Sequence, residues 1–424
     1  MKIAIFSYGS RGDFEPFLAL AVGLQKANHT VILAAPYRFA DFAARYQVPF
    51  APLPGDPEEV SKMINDAGGN VFQAVKSIRD FVFSVTAEVS RASFAAAEGA
   101  DLLVHSFLFT TGMHSWAREH ALPDISVQIF PVFAPTSAFP NVAFAQVPPG
   151  PISYLTHWLT DQIMWFGGNS GYKPAQAAHP EISYPFKLYW PFSDSRERLR
   201  TPLLFAYSPS VLPRPVEWGA DVHVPGYFFL DDDSFQPPEA LSHFLQAGPP
   251  PICVTFGSMI NRQAKQIQEI IIEALHIRNE RAVFLAGWGN PQDGISSEQL
   301  LYLDDVPHGW LFPHCKASIH HGGAGTTAAS LRAGIPTLIL PHAVDQPFWG
   351  RRIQILGIGP APIPVKSLTL SRLLAAMDEL EKPAILLKAQ AMSRKISGSD
   401  VFCGHCLQPD MEVATSKLCN QFEW

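Results

Sequence analysis

Residues 317–334 read ASIHHGGAGTTAASLRAG, and this stretch indicates how the second half of the chain folds. A short apolar run comes first, three glycines follow at Gly322, Gly323 and Gly325, and an alanine-rich segment closes the stretch. A strand that ends in a glycine turn and continues into a helix is typical of parallel α/β sheets, which bind ligands at the carboxyl ends of their strands. We therefore expect the glycine turn to lie at a binding crevice.

The chemistry of this turn predicts an anion site. Glycines let the backbone approach an anion, and a helix amino terminus offers unpaired N–H groups together with about half a positive charge. The turn has neither the lysine of a P-loop nor the spacing of a dinucleotide fingerprint, and a plain capped helix is the structural alternative. The residues of the predicted site are His321, Gly323, Ala324, Gly325, Thr326 and Thr327.

Two other turns of the second half are predicted at the same edge of the sheet. One strand-like run ends in Gly257 and Ser258, and a later run leads to Asp345 and Gln346. An acid beside an amide suits a hydroxyl-rich ligand, because both side chains accept hydrogen bonds from sugar hydroxyls. We predict that these residues contact the same ligand; an ordinary turn or helix cap is the alternative for each.

The first half of the chain opens with the same pattern. Residues 2–8 form a short apolar run, 9–13 break it, 16–26 have apolar residues at helical spacing, and 30–35 are again strand-like. This order of strand, loop, helix and strand places the loop where ligands bind. Because the alternation recurs in both halves, we expect an α/β fold of two doubly wound, Rossmann-like domains that face each other across a cleft.

The composition excludes some classes of protein. The 424 residues carry 31 Lys and Arg against 38 Asp and Glu, a formal charge of -7, and no basic cluster, so a nucleic-acid partner is not expected. Five cysteines, an odd number, predict reduced thiols and a cytoplasmic protein. The close pair Cys403 and Cys406 has too few neighbouring ligands for zinc, so no metal site is predicted.

One long stretch of the chain, residues 125–160, is uncharged, which raises the question of a membrane span. Prolines interrupt every candidate helix of about 20 residues, so we expect apolar loop and short elements inside the fold. The aromatic side chains predict an apolar wall for a lipophilic ligand, and ordinary core packing is an equal alternative. The residues predicted for this wall are Phe130, Phe133, Phe139 and Trp158, together with His105 at the end of an earlier strand.

The motifs now identify a family. GSRGD at 9–13 with EPF at 15–17, HHGGAGTT at 320–327 and DQP at 345–347 resemble the nucleotide-sugar-dependent glycosyltransferases that include sterol glucosyltransferases and glycopeptide-antibiotic glycosyltransferases. The resemblance spans most of the chain and implies the GT-B fold. The implied parts are an acceptor-binding domain at 1–220, a linker at 221–248, a nucleotide-sugar-binding domain at 249–396, and a tail at 397–424 that packs back on the first domain.

The resemblance also implies roles for single residues. It makes Asp13 the general base for the acceptor hydroxyl, assigns the donor sugar to Asp345 and Gln346, and assigns the nucleobase to the backbone near Val306. The diphosphate falls to Ser258 and the residues of the anion site, and Ser10 and Gly257 also belong to the donor side. The implied transfer inverts the sugar and uses no metal or cofactor, because donors at a helix terminus stabilise the leaving diphosphate.

The expected reaction transfers a sugar, glucose from UDP-glucose, to a hydroxyl of a lipophilic acceptor such as a sterol or a natural-product aglycone. Three alternatives stay open: a dTDP-sugar-dependent natural-product glycosyltransferase, a nucleotide-sugar epimerase or isomerase of the same fold, and a nucleotide-binding protein without catalysis. We expect a monomer. Peripheral contact with a membrane also stays open, although no basic amphipathic anchor supports it.

Overall fold

The structure is a computed structural model that describes residues 1–56, 59, 71–171, 176–177, 180, 201–232, 234–257, 264–285, 297–342, 344–399 and 401–403. Its frame is two sheets in which every described pairing is parallel. The strands are β1 (Lys2–Phe6), β2 (Thr30–Pro36), β3 (Phe50–Leu53), β4 (Leu102–His105), β5 (Asp124–Gln128), β6 (Leu203–Phe205), β7 (Val222–His223), β8 (Tyr227–Phe229), β9 (Ile252–Thr255), β10 (Ala282–Leu285), β11 (Leu300–Leu303), β12 (Ala317–His320), β13 (Thr337–Ile339) and β14 (Val401–Cys403).

Helices connect these strands in both halves of the chain. They are α1 (Arg11–Lys26), α2 (Ala40–Arg45), α3 (Val71–Ala97), α4 (Thr110–Glu119), α5 (Pro151–Gly171), α6 (Glu239–Gln246), α7 (Ala264–Ile277), α8 (His308–Leu311), α9 (Ala324–Ala333), α10 (Gln346–Leu356), α11 (Leu370–Leu380) and α12 (Pro383–Ser399). Short 3₁₀ turns add to them, among them Val142–Phe144.

The strand order gives each sheet one switch point. The first sheet runs β3-β2-β1-β4-β5-β6-β7, and the second runs β11-β10-β9-β12-β13. The order reverses between β1 and β4 in the first sheet and between β9 and β12 in the second. Ligands of doubly wound sheets bind outside the carboxyl ends of the strands at such points. The predicted pair of doubly wound α/β domains is confirmed, and its switch points mark where the chemistry belongs.

One apolar cluster joins the two halves of the molecule. Phe139, Phe205 and Trp218 from the first half belong to the same buried cluster as Leu331 and Trp349 from the second. Ring contacts cross the boundary, with centroids 6.0 Å apart for Phe139 and Phe348 and 6.1 Å for Tyr207 and Trp349. We call this cluster the shared core; it fixes one side of the cleft by close packing.

The uncharged stretch contains more helix than its sequence predicts. The expectation of loop and short elements is wrong for its last part, because α5 runs for 21 residues from Pro151. A proline at the first helical position costs no hydrogen bond, since its missing N–H would be unpaired there anyway. Among the described residues, no helix combines the length and hydropathy that a bilayer crossing requires.

Helix α5 has its polar face inward and its apolar face outward, which is the reverse of an ordinary surface helix. Its polar side chains are buried against the protein: Ser153, Thr156, His157, Thr160, Asp161 and Gln162. Its large apolar side chains are exposed: Ile152, Tyr154, Leu155, Trp158, Leu159 and Ile163. Hydrogen bonds hold the polar face, such as the one that the backbone N–H of Phe133 donates to Asp161 Oδ1 at 3.1 Å.

The end of the described chain returns to the linker. Strand β14 pairs in parallel with β8, with Val401 opposite Tyr227, and α12 contributes Ile396 to the shared core. The rest of the predicted tail, residues 404–424 with Cys406, lies outside the described residues.

Candidate active site

The end of β1 turns sharply into α1, and Asp13 sits in the first turn of that helix. Ser10 is the N-cap, and both its backbone N–H and its Oγ donate to Asp13 Oδ2 at 2.8 Å. The bond from the backbone N–H of Ser10 to the side chain of Asp13 is part of a capping box. A Cβ at Gly9, where φ is +142°, would lie 2.4 Å from Asp13 Oδ2, so only glycine lets the carboxylate take this place. The sequence therefore fixes the Asp13 carboxylate in position before any ligand binds.

The surroundings of Asp13 also change its acidity. Burial raises the pKa of Asp13 above its ordinary value, and the two hydrogen bonds from Ser10 act in the opposite direction by stabilising the charged form. A carboxylate with a raised pKa is a stronger base than a free aspartate. The geometry and the acidity both suit a group that accepts a proton.

The end of β12 presents the predicted anion site. His321 lies between two glycines: a Cβ at Gly323 would be 2.5 Å from its Nε2, and one at Gly257 would be 3.2 Å from its Cε1. Burial, with smaller contributions from His342 and His308, lowers the pKa of His321 to about 4, so the imidazole is neutral at pH 7. A neutral imidazole donates a hydrogen bond to a phosphate oxygen without bringing a charge.

The helix that follows leaves donors without partners. Gly323 is the N-cap of α9 and no side chain caps the helix there. Thr327 Oγ1 is buried and has no hydrogen-bond partner among the described residues, and the same holds for His320 Nε2. Buried polar atoms are ordinarily paired, so an unpaired set at a helix amino terminus is what a bound anion would satisfy.

The amino termini of α1 and α9 meet at the predicted anion site. A Cβ at Gly325, at the start of α9, would lie 4.0 Å from the Cα of Gly12 at the start of α1. Each terminus carries about half a positive charge from its aligned peptide dipoles. An anion placed between the domains is therefore stabilised from both sides of the cleft.

Asp345 brings a second carboxylate to the same place. It is the residue before α10, and Trp349 Nε1 donates to its Oδ2 at 2.9 Å. Burial, with a smaller contribution from the Asp13 carboxylate, raises the pKa of Asp345 to about 7. Repulsion between the two negative charges is therefore part of the electrostatics of the cleft. Gln346 is buried beside them, and its Oε1 accepts from the backbone N–H of His342 at 2.8 Å.

The structure thus brings together most of the predicted donor-side residues. Ser10, Gly257, His321 and the residues 323–327 line the two helix starts, and Asp345 and Gln346 lie beside them. Val306 is buried in the segment between β11 and α8. Ser258 lies outside the described residues.

Most of the residues predicted for the acceptor wall are buried. His105, Phe133 and Phe139 are buried, at 0%, 4% and 8% exposure, so their side chains serve packing and hydrogen bonding instead of a free wall. Phe130 is partly buried against the shared core, and Trp158 points outward from α5. The core alternative fits Phe133 and Phe139, because an uncharged stretch supplies core and surface walls with the same residue types.

His105 belongs to a buried polar network. Its Nε2 lies 2.9 Å from Asp124 Oδ2, and His114 Nδ1 lies 2.8 Å from the same oxygen. Thr201 Oγ1 donates to Asp124 Oδ1 at 2.8 Å. The three ligand-type atoms lie within 4.8 Å of one another, yet the hydrogen bonds already use both oxygens of the carboxylate. The network satisfies its own buried polar groups.

Sequence reasoning missed several partners of the site. Arg11 Nη1 binds both oxygens of Asp305 at 2.7 Å across the cleft, and Arg11 Nε lies 3.3 Å from Glu15. Asp231, in an acidic run that resembles a metal site, binds both outer nitrogens of Arg332 instead, at 2.6 and 2.8 Å. The position of Arg11 inside the GSRGD motif could have signalled a role; nothing in the sequence pairs it with Asp305.

Two family models match this chain. The glycosyltransferase family 28 N-terminal domain matches residues 3–106, and the erythromycin biosynthesis protein CIII-like C-terminal domain matches residues 297–398. These ranges contain the two helix starts that meet in the cleft.

Curated relatives cover nearly the whole chain. A sterol 3-beta-glucosyltransferase of Arabidopsis thaliana is 32% identical over 94% of this chain and 66% of its own length. The O-mycaminosyltylonolide 6-deoxyallosyltransferase of Streptomyces fradiae is 30% identical over 94% of both chains. This chain spans 66% and 64% of the length of the two Arabidopsis sterol glucosyltransferases that it matches, and 26% of the Cryptococcus neoformans enzyme.

Solved structures share the fold. The calicheamicin glycosyltransferase CalG4 superimposes with a TM-score of 0.68 at 16% identity, covering 98% of each chain. The glycosyltransferase VinC, solved in complex with dTDP, gives 0.65 at 16% identity and covers 99% of each chain. Taken with the relatives and the cleft, these matches lead to one conclusion: the chain belongs to the family of nucleotide-sugar-dependent glycosyltransferases with the GT-B fold that includes sterol glucosyltransferases and antibiotic glycosyltransferases.

Proposed function

We propose that the protein is an inverting glycosyltransferase that moves glucose from UDP-glucose to a hydroxyl of a lipophilic acceptor such as a sterol or a natural-product aglycone. One observation carries the proposal: the amino termini of α1 and α9 meet in the cleft with the Asp13 and Asp345 carboxylates beside them. Transfer from a sugar diphosphate requires an anion site for the diphosphate next to a carboxylate that is held in place.

The proposed reaction moves one proton to Asp13 and one electron pair to the leaving diphosphate. Asp13 accepts the proton of the acceptor hydroxyl while that oxygen attacks C1 of the sugar. The bond between C1 and the diphosphate oxygen breaks, and that oxygen keeps the electron pair. Attack opposite the leaving group inverts the configuration at C1. Asp345 and Gln346 hold the sugar hydroxyls, and the segment at Val306 contacts the nucleobase.

The leaving group needs no proton in this scheme. The two helix starts, His321, Thr326 and Thr327 supply donors for the charge that grows on the diphosphate. We therefore propose transfer without a divalent metal or other cofactor, with the nucleotide sugar as co-substrate.

The relatives support the substrate classes. The names of the Arabidopsis enzymes specify glucose and a sterol, and that of the Streptomyces enzyme specifies a 6-deoxyallosyl group. The VinC structure holds dTDP. A dTDP-sugar is thus the second donor candidate. We also propose that the protein acts as a monomer in the cytoplasm, with peripheral access to membranes where the acceptor is a lipid.

Replacing Asp13 with Asn tests the base. We expect the rate of transfer to fall by about 10²- to 10⁴-fold, the usual contribution of a general base. We expect UDP affinity to stay within about twofold of wild type, because the anion site is unchanged. The measurement is mass spectrometry of products from UDP- and dTDP-sugars with cholesterol and a macrolide aglycone, run with and without EDTA.

The matched control is Asp101→Asn, an acid-to-amide change in a residue that accepts from the backbone N–H of Lys2 at the amino-terminal edge of the sheet. Full transfer by Asp13→Asn would disprove the base assignment. An epimerised nucleotide sugar formed without any acceptor would instead identify an epimerase.

A further inference from the structure

A cavity of about 330 Å³ opens between the two domains. Residues 142–147 of the first domain form one wall, and Val344 and Pro347 of the second, which flank Asp345 in the chain, form the other. Among the described residues of the lining, Gln146 alone has a side chain that ends in a polar group. The volume and the apolar lining match the pockets that bind small apolar ligands.

The first wall is held in place from both domains. Asn141 is fully buried, and its Oδ1 accepts from the backbone N–H of Ala143 at 3.1 Å. Arg351 of α10 donates from Nη1 to the backbone oxygen of Ala145 at 2.9 Å. Because these hydrogen bonds fix the segment, the cavity exists before a ligand arrives, and binding does not have to order the wall.

The second wall contains a residue with unusual backbone geometry. Val344 has φ of +58°, a left-handed conformation that β-branched residues rarely adopt. Packing does not explain it, because the side chain is 69% exposed. Glycine would fit this backbone better, yet the sequence places an isopropyl group here, next to Asp345 and at the mouth of the cavity. Retained strain of this kind concentrates at ligand sites.

We propose that this cavity receives the apolar ring body of the acceptor alcohol, and that Val344 is a specificity-determining residue that limits how large a ring system enters. The inference rests on the proposed function and adds the place and the size limit of its acceptor. Val344 and Pro347 of the lining flank Asp345 in the chain, so an alcohol whose rings occupy the cavity lies next to that residue and presents its hydroxyl towards the cleft. The acceptor class is a compact, uncharged ring alcohol.

Filling the cavity tests the binding part directly. Ala143 is exposed within the lining, so Ala143→Trp places an indole in the space. We expect binding of tritiated cholesterol, measured by equilibrium dialysis, to weaken by about tenfold or more, while UDP binding is unchanged. The matched control is Ala247→Trp, at an exposed position that ends α6. Wild-type affinity for cholesterol in Ala143→Trp, or no cholesterol binding by the wild type, overturns the assignment.

Two substitutions test Val344. Val344→Ala and Val344→Gly both remove methyl groups from the wall, and we expect both to raise the ratio of kcat/KM for cholesterol over 1-naphthol by about fivefold. Only Val344→Gly relieves the left-handed strain, so it alone should raise Tm, by about 1–3 °C. An unchanged ratio in both variants overturns the role in specificity.

The two proposals fail in different ways. If the wild type binds cholesterol in the cavity but transfers no sugar to any alcohol, the proposed function is wrong and the site stands. If the wild type transfers sugar and Ala143→Trp binds cholesterol as the wild type does, the cavity inference alone is wrong.

Discussion

Ser10 shows how one residue can hold and tune a base. Its two hydrogen bonds reach the same Asp13 oxygen and stabilise the charged carboxylate, so they lower a pKa that burial raises. No hydrogen bond to Asp13 Oδ1 occurs within the part of the chain that the structure describes, which leaves that oxygen available for the proton transfer that we propose.

Ser10→Ala should therefore change the pH profile as well as the rate. Removing the hydroxyl donor raises the pKa of Asp13 further, so the rising limb of kcat against pH should move to higher pH and kcat at pH 7 should fall by about tenfold. The measurement is kcat from pH 5 to 9. A loss of rate without any movement of the limb would mean that Ser10 acts only in holding the helix start.

Asp161 gives a second prediction at the residue scale. Burial raises its pKa to about 8, against about 3.9 in an unfolded chain. Between these values the unfolded state loses the proton and the folded state keeps it, so the wild type loses stability as pH rises from about 4 to 8. Asp161→Asn removes this loss while keeping the oxygen that accepts from Phe133.

We expect Asp161→Asn to melt close to the wild type at pH 4 and about 3 °C or more above it at pH 8. Thermal unfolding followed by circular dichroism at several pH values is the measurement, with the exposed Asp41→Asn as the matched control. A difference in Tm that does not grow with pH would contradict the assigned ionisation.

Among the elements, α9 shows what a sequence motif determines. The glycine turn and the helix after it follow directly from residue types, and the structure has both where the pattern predicts them. The close approach of Gly257, after β9, to His321 does not follow from the pattern, because the two residues lie far apart in the chain.

Gly323→Ala should displace His321, since the added Cβ would lie 2.5 Å from its Nε2. The backbone of Gly323, at φ of -60° and ψ of 147°, accepts alanine without strain, so the fold should survive. We expect UDP affinity, measured by calorimetry, to fall by about tenfold, the loss of one hydrogen bond to a charged group.

The matched control is Gly398→Ala, in α12, where an added Cβ meets no atom within 4 Å. If Gly323→Ala bound UDP as tightly as that control does, His321 would have no part in holding the diphosphate.

Helix α5 shows where sequence reasoning fails at the same scale. Periodicity predicts which residues share a face, but it orients that face by assuming that apolar side chains point inward. In α5 the polar face is inward, because partners such as the backbone N–H of Phe133 and the carbonyl of Phe139 satisfy it. Those partners lie 18 to 28 residues away in the chain, and no local pattern reveals them.

At the scale of the whole molecule, the cleft is joined differently at its two sides. The shared core packs one side with apolar and aromatic groups, whereas Arg11 and Asp305 join the other through an exposed ion pair with side-chain exposures of 40% and 64%. Exposed pairs contribute little to stability and are weakened by salt. The ion pair is therefore suited to close the cleft reversibly, next to Asp13 and the segment of Val306.

Asp305→Asn should leave Tm within about 1 °C of the wild type and lower kcat/KM for the donor by about threefold, because the closed cleft loses one contact. The loss should vanish at about 0.5 M salt, where the wild-type pair is itself screened. Asp378→Asn, which breaks the exposed ion pair with Arg278 inside the second domain, is the matched control. A donor kcat/KM equal to wild type at low salt would contradict the closing role.

The alternation of strands and helices and the two helix starts could be predicted from the sequence, because strand, glycine turn and helix are local patterns. The contacts across the cleft could not, since the pairing of Arg11 with Asp305 joins positions 294 residues apart. For the same reason, the sequence does not decide whether Phe133 and Phe139 belong to the core or contact a ligand. A buried phenylalanine and one that contacts a ligand look alike in the sequence, and only packing against the other domain distinguishes them.

The shared core has a consequence for recombination within this family. Aromatic rings from both halves interlock at Phe139 with Phe348 and at Tyr207 with Trp349, so a chimera that joins this first half to the second half of a relative would inherit mismatched surfaces there. Engineers who wish to swap sugar donors between such enzymes should graft the turns around Gly323 and Asp345 onto the existing second half and leave the interlocked rings with their native partners.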